Sequence, residues 1–331
     1  MSYSYKKPRV GVIGVGHLGQ HHAKHFNTMD SVHFAGVFDI DSQRAEKIAS
    51  FYKTKSFSKI NALVSACDAV SIVTPTQFHA TVAEQCIRSG KHVFLEKPIT
   101  RTIEEADTLI RLAKQMGVII QVGHIERLNP ALMVLKDLDL NPKYIEVQRL
   151  APYTTRGTDV PVVLDLMIHD LDIILSLVNS PVKNIRASGV SIMTQSVDIA
   201  NARIRFNNGT VASLTSSRVA KNKVRKIKIF QRDMYITIDF LLALTEVYRV
   251  TDFHTQDPNT LVSAPLDQNG QHREIVYEKL PVHTTDALHQ ELVNFVDSIN
   301  GKSTPIVDGQ AGRDALEVAI KIQNMIIEDT H

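Results

Sequence analysis

Three groups of residues have the types and spacing to do chemistry. Asp165 and His169 stand four apart in the otherwise apolar run VVLDLMIHDLDIILSLV (162–178), so on a helix both project from one face. Such a helix does not carry polar groups inward without partners, and an imidazole with an unperturbed pKa near ~6.5 suits general-base work at neutral pH. Glu96-Lys97-Pro98 closes an apolar strand. The proline fixes the chain direction just after the lysine, which gives its ammonium a defined launch point for holding a substrate oxygen. The third group is Gly14-Val15-Gly16-His17-Leu18-Gly19, placed after a short apolar strand and at the opening of a helical stretch. There Gly14 permits a tight turn, Gly16 lets backbone approach a pyrophosphate, and Gly19 allows close helix–strand packing. The helix N-terminus offers unpaired N–H groups to phosphates. Asp39, twenty residues beyond Gly19, ends the second strand, where its carboxylate can accept both ribose hydroxyls.

The elements that must position these groups follow from periodicity. RVGVIGV (9–15), HFAGVFDI (33–40), DAVSIVTP (68–75), KHVFLEKP (91–98) and VIIQVGHI (118–125) read as buried strands. Amphipathic stretches at 42–52, 81–90 and 102–117 separate them, with Gly90 and Gly117 where helix-ending glycines belong. That alternation predicts an α/β fold, an N-terminal Rossmann doubly wound parallel sheet over residues 1–125. Thr74-Pro75-Thr76-Gln77-Phe78-His79 then falls at a strand's carboxyl end, where ligands sit in open α/β sheets. Residues 126–331 predict a C-terminal α+β domain built on a largely antiparallel open sheet, for substrate binding and oligomerisation. Its strands are read at 143–151, 182–193, 201–206, 210–219, 223–230, 234–240 and 273–280. Asn207-Asn208-Gly209 suits a hairpin turn. The polar stretch 252–272 reads as a surface loop, and helices near 285–299 and 311–327 close the chain, the last free to pack back on the first domain.

Arg127 and Asn129 follow the fifth strand at the same sheet end, and Tyr153 and Arg156 precede the Asp165 helix; all four are read as substrate-facing. His21, His22 and His25 are read as polar helix surface rather than a metal site. The basic run 221–228 reads as one charged strand face. The 331 residues carry 37 basic and 35 acidic side chains, a formal charge of +2. So even a balance gives no global field for nucleic acid or a membrane surface. Neither a signal-length apolar run nor a metal-ligand cluster is visible, and the two cysteines, Cys67 and Cys86, read as small core residues of a cytoplasmic protein.

GVGHLG (14–19), TPTQFHA (74–80), GKHVFLEKP (90–98) followed by EEA (104–106), VGHIERLNPA (122–131), the Asp165–His169 segment and VDGQAGRDALEVA (307–319) together resemble the Gfo/Idh/MocA oxidoreductase family along essentially the whole chain. The resemblance implies a nicotinamide-dependent enzyme acting on the CH–OH of a sugar, with a lysine and a histidine flanking the reacting carbon and an aspartate nearby. Onto this sequence these fall as Lys97, His169 and Asp165, and the family's DxGxHxxD pattern as Asp165, Met167, His169 and Asp172, with Met167 in place of glycine. Thr74, Pro75, Thr76, His79, Glu96 and Lys97 join the glycine loop and Asp39 as cofactor contacts. NAD is expected over NADP, because a 2′-phosphate would meet Asp39, although Arg44 could receive one. In this mechanism His169 takes the hydroxyl proton and Lys97 stabilises the alkoxide; Lys97 as the base, after desolvation, remains open. The family usually forms dimers or tetramers through the second-domain sheet. Within it, VGHIERLNPA, VVLDLMIHDLDIIL and NKVRKIKIFQRDMYITIDF (222–240) resemble members that oxidise UDP-N-acetylglucosamine at its 3-hydroxyl and pass a 3-keto sugar nucleotide to an aminotransferase in lipid A biosynthesis. Arg127, Arg149 and Arg156 are candidate cations for the diphosphate. Competing expectations are an inositol or free-hexose dehydrogenase of the same family, and a non-catalytic dinucleotide sensor.

Overall fold

The computed structural model describes residues 7–154, 160–252, 260–268 and 271–329. The chain divides into two compact units: residues up to Ile125 together with Asp286–Leu316, and Glu126–Thr285 together with residues from Glu317 onward.

The first unit is built on five parallel strands, β1 (Arg9–Ile13), β2 (His33–Phe38), β3 (Ala69–Ile72), β4 (His92–Glu96) and β5 (Ile120–Gly123), in the order β2-β1-β3-β4-β5. The order reverses at β1, between β2 and β3, and such a switch point leaves a crevice at the strands' carboxyl ends. Helices α1 (Gly19–Thr28), α2 (Ser42–Phe51), α3 (Ile60–Ala66), α4 (His79–Arg88) and α5 (Ile103–Met116) fill the crossovers. Thr102 and Glu105 form a capping box at the start of α5, and Gly117 ends it at φ 65°, the left-handed conformation that only glycine adopts without steric penalty. Helix α8 (Ala287–Ile299) also belongs to this unit. Its stripe Leu292, Phe295 and Val296 enters the core formed by Val10, Val12, Phe26 and Phe94, with the Phe94 and Phe295 rings 5.7 Å apart. Asp286–Leu316 thus sit with the Rossmann sheet rather than with residues 126–285. Periodicity exposes an apolar stripe but not the surface that will bury it.

The second unit holds a nine-stranded sheet ordered β13-β14-β12-β11-β10-β6-β9-β8-β7. The strands are β6 (Tyr144–Leu150), β7 (Val182–Val190), β8 (Ile199–Phe206), β9 (Val211–Ser217), β10 (Val224–Gln231), β11 (Met234–Asp239), β12 (Leu244–Asp252), β13 (Thr260–Gln268) and β14 (Gln271–Lys279). Only β6 and β9 pair in parallel; all other neighbours are antiparallel. One face is apolar by strict alternation: Ala202 and Ile204, Ile227 and Ile229, Ile236 and Ile238 are fully buried. Gly209, at φ 88°, makes the β8–β9 turn and donates its N–H to the Phe206 carbonyl.

The expected surface loop at 252–272 is corrected in part. Thr260–Gln268 and Gln271 onward form β13 and β14, while 253–259 lie outside the described residues. Pro265 disguised β13; proline is tolerated there because the strand is at the sheet's edge. Before the apolar helix α7 (Ile168–Val178) comes one π turn, Val163–Met167, so the predicted helix 162–178 is not regular throughout. Helix α9 (Gly309–Asp329) closes the chain. No helix among the described residues is long and apolar enough to cross a membrane.

Candidate active site

In the first unit the glycine loop leaves the end of β1. Gly14 has φ 88°, and a Cβ there would lie 2.7 Å from the Val73 carbonyl oxygen; one on Gly19 would lie 1.9 Å from that of Gly14. Both positions therefore exclude any side chain. A Cβ on Gly16 would meet nothing within 4 Å, so open space lies over the backbone where a pyrophosphate would approach. His17 and Leu18 are exposed beside it. Asp39 is nearly buried and braces the loop: Oδ2 accepts from the Val15 N–H at 2.8 Å and Oδ1 from the Asp41 N–H at 2.9 Å. Each oxygen retains acceptor capacity for a ribose hydroxyl. Arg44 lies 3.4 Å from Asp39 and 3.0 Å from Asp41, so its charge is shared between two carboxylates. Ile40, next to Asp39, is 95% exposed, an apolar side chain at the cofactor end that its place in an apolar strand had concealed.

β3 leads into Thr74 and Pro75, a single turn over Thr76–Phe78, and α4. Thr74 Oγ1 is buried without a hydrogen-bond partner among the described residues, which fits a ligand donor or acceptor completing it. His79 does something other than expected. Its Nδ1 lies 2.9 Å from the Pro98 carbonyl and its Nε2 2.8 Å from that of Thr74, and the ring is 1% exposed. Both nitrogens are occupied by backbone, so His79 ties two turns together rather than touching a dinucleotide. Burial lowers its pKa, with the Pro98 and Thr74 carbonyls opposing.

At the end of β4, the Lys97–Pro98 peptide is cis. Glu96 Oε2 accepts the Lys97 N–H at 3.2 Å, and Oε1 lies 3.1 Å from His22 Nε2, whose Nδ1 is 2.9 Å from Ser71 Oγ. Burial raises the Glu96 pKa, but the His22 hydrogen bond, the imidazole charge and Lys97 outweigh it and hold the carboxyl below the usual carboxylate range. His22 and His25 are thus buried, not the polar helix surface expected of them; only His21 is exposed. Their inward positions, three apart on α1, carry no apolar signature. The two cysteines are buried and unpaired, and burial pushes both thiols up to about 12, which makes them inert. Among the described residues no cluster of histidine, cysteine and carboxylate is placed to hold a metal.

In the second unit Asp165 lies in the π turn and His169 in the first turn of α7, both half-buried, while Met167 is fully buried. Single π turns inside helices recur at functional sites. The acids around His169 are held by arginines. Arg149 donates to both oxygens of Asp170 at 2.8 Å and to Glu126 at 3.0 Å; all three residues are buried. Burial works against the Arg149 charge, yet Asp170 and Glu126 hold its pKa above the ordinary arginine value. Arg225 reaches Glu126 at 3.3 Å, and Arg127 grips Asp172 through Nε at 2.7 Å and Nη2 at 2.9 Å.

This network corrects the expectations for Arg149 and Asn129 and narrows that for Arg127 to one edge of its guanidinium. Arg149 is unavailable to a diphosphate, being enclosed by two carboxylates. Arg127 spends one edge of its guanidinium on Asp172. Asn129 caps a short helix, α6 (Pro130–Met133), through the Ala131 N–H and donates to Glu126 at 3.2 Å, so it serves the scaffold. Tyr153 is 41% exposed, and Arg156 lies outside the described residues.

A dinucleotide-binding loop, an acid at the second strand's end, a lysine at the fourth and an acid–histidine helix in the second unit define an NAD-linked oxidoreductase. The chain belongs to the GFO/IDH/MocA family: residues 8–124 match its oxidoreductase domain with NAD-binding Rossmann fold, and 144–236 match a GFO/IDH/MocA C-terminal domain. It is 38% identical to the UDP-N-acetylglucosamine 3-dehydrogenase of Acidithiobacillus ferrooxidans over 95% of this chain and 96% of that one. The solved structure of that enzyme superposes with a TM-score of 0.87 over 97% of this chain and 98% of that one, at 37% identity. A myo-inositol 2-dehydrogenase from Thermotoga maritima is 24% identical over 93% of each chain.

Proposed function

We propose that the protein oxidises the 3-hydroxyl of UDP-N-acetylglucosamine to a 3-keto sugar nucleotide, with Lys97, His169 and Asp165 acting on the substrate. The observation that carries the substrate is full-length similarity to an enzyme of that name, at 38% identity over 95% of the chain, against 24% for the inositol enzyme. Retention of Lys97, Asp165 and His169 together favours an enzyme over a dinucleotide sensor.

The glycine loop and Asp39 would hold NAD, which when bound would serve as the hydride acceptor. In this reading Lys97 holds the substrate oxygen and offsets the negative charge that grows on it. His169 removes the hydroxyl proton, a contribution of about 10²–10⁴-fold. Asp165 orients the imidazole or binds a neighbouring hydroxyl, and Tyr153, Arg156 and the second edge of the Arg127 guanidinium are assigned to substrate binding. Half-burial of Asp165 and His169, on a helix whose neighbouring acids Asp170 and Asp172 are held by arginines, supports these roles.

The same proposal includes a cytoplasmic setting, a pathway aminotransferase that consumes the ketone, and self-association through the second-unit sheet. For the last, a row of half-exposed aromatic rings crosses five neighbouring strands. Tyr144, Phe230, Tyr235, Tyr248 and Tyr277 have successive centroids 5.8, 4.6, 5.5 and 4.8 Å apart, and a patch of this kind is normally covered by a partner. The deciding test is incubation with NAD and UDP-N-acetylglucosamine, with an aminotransferase and amino donor to draw off the ketone. A 3-amino product is expected; no turnover there, alongside brisk oxidation of inositol or free glucose, transfers the case to the polyol reading.

A further inference from the structure

At the centre of the second-unit sheet, cations on the solvent face have partners on neighbouring strands: Lys226 pairs with Asp239 at 3.0 Å and Lys228 with Glu146 at 3.5 Å. At the β7 edge they do not. Arg186 on β7 stands directly opposite Arg203 on β8, and Arg205 stands opposite Asn184. On its other side β8 meets β9, where Ser213 faces Arg203 and Val211 faces Arg205. Along the strands, the next residues on the same face are Ser188 beyond Arg186 and Asn201 beyond Arg203. The register shifts between Val182 and Asn184. This bulge leaves Lys183 exposed together with Asn184, the re-aiming of a side chain that bulges provide. No acid stands among these neighbours, and among the described residues no carboxylate pairs with Lys183, Arg186, Arg203 or Arg205. With Asn184 these cations line a groove of about 520 Å³.

Like charges directly opposite one another destabilise a sheet. Protection of an edge strand against stray pairing accounts for cations on β7, but not for Arg203 and Arg205, which lie on an interior strand. What relieves the repulsion is a multivalent anion. A guanidinium donates two parallel N–H bonds to phosphate oxygens, and three of the cations here are arginines. A single carboxylate would leave most of the charge uncompensated, whereas a terminal phosphate brings roughly −1.5 to −2, so two linked phosphates match the groove. Among the described residues that line it there is no aromatic ring to stack on a base and no aliphatic side chain to bury a peptide's apolar anchor. We propose that the β7–β8 groove binds a small oligophosphate anion, with pyrophosphate as the minimal ligand. The mechanism gives these residues no role, and the inference does not depend on which sugar is oxidised.

The test is calorimetric titration of the full chain with inorganic pyrophosphate at low ionic strength, with NAD in excess to occupy the glycine loop. Saturable binding is expected for the wild type. The double variant Arg186→Gln, Arg203→Gln should bind at least roughly tenfold more weakly, the effect of losing charge-assisted hydrogen bonds, with NAD affinity unchanged. Because the substitutions also remove the opposed charges, the ligand-free variant should melt no lower than the wild type, which separates lost binding from lost folding. Pyrophosphate should raise the wild-type Tm by mass action and leave that of the variant in place. No saturable binding by the wild type overturns the proposal, and so does equal affinity in the double variant, which would put the anion elsewhere. An equal response to acetate at the same ionic strength would reduce the effect to general screening and overturn it too. Binding to phosphatidylglycerol vesicles without binding to pyrophosphate would give this face to a membrane surface instead, and would likewise refute the oligophosphate site.

Discussion

Replacing Arg149 by methionine removes one charge and leaves two. Arg149 and Asp170 have side chains only 4% and 3% exposed, and both recorded side-chain hydrogen bonds to Asp170 come from this arginine. Glu126 is better insured, since Arg225 and Asn129 also reach it. The loss is therefore concentrated on one uncompensated carboxylate in the core. Removing one partner of a buried pair typically destabilises by about 3–5 kcal/mol, which for a unit of this size lowers Tm by roughly 6–20 °C. Arg225→Met supplies the internal control. That side chain is 44% exposed and touches Glu126 at 3.3 Å, so its removal should cost less than about 1 kcal/mol. The Arg149→Met deficit should also shrink as pH falls from 8 to 5, because protonation neutralises the stranded Asp170, whose carboxyl burial already pushes up. Scanning calorimetry across that pH range measures all three effects. If Arg149→Met unfolds within about 1 kcal/mol of the wild type, or no earlier than Arg225→Met, the network is not what fixes α7.

Lys97→Met and His169→Ala should each lower kcat about 10²–10⁴-fold while leaving the NAD dissociation constant nearly intact; near-normal kcat in a folded variant removes that residue from the mechanism. NAD should be favoured over NADP roughly ten- to a hundredfold in kcat/KM. Asp39→Ser should narrow that ratio by releasing Arg44 toward a 2′-phosphate; equal use of both cofactors by the wild type refutes the assignment. Asp198 is buried, and although burial raises its pKa, the N–H groups of Met193, Thr194 and Ile192 bring it down to about 2. A depressed carboxyl stabilises the fold above its unfolded pKa of about 3.9, and that contribution is lost as pH falls toward 2. The stability gap between wild type and Asp198→Asn should therefore be full at pH 6 and close progressively below about pH 4; a pH-independent gap contradicts this. Light scattering should give a multiple of the 36.9 kDa chain mass, and a monomer at micromolar concentration rules out association through the aromatic row.

What could be read in advance was whatever depends on residues near one another in sequence. The glycine spacing reflects backbone geometry within six residues: a Cβ on Gly19 would strike the Gly14 carbonyl, and no distant element can relieve that. The five strands of the first sheet and most of the second declared themselves by composition, β12 and β13 excepted, and Asp165 and His169 by their oddity in an apolar helix. What escaped was pairing across the chain. Arg149 was offered as a substrate cation because arginine suits phosphate, yet β6 alternates so that Ile145, Val147 and Arg149 share the buried face. That period of two was a legible warning that the arginine points inward, but not that Glu126 and Asp170, 23 and 21 residues away, would converge on it. His22 and His79 were hidden for the same reason. A histidine's meaning depends on what faces its two nitrogens, and for both residues those partners arrive from other elements: Ser71 and Glu96 in one case, Pro98 in the other. The chemistry-bearing residues are thus locally announced, while the residues that set their position and charge become visible only once strands β3, β4 and β6 have been laid beside their neighbours.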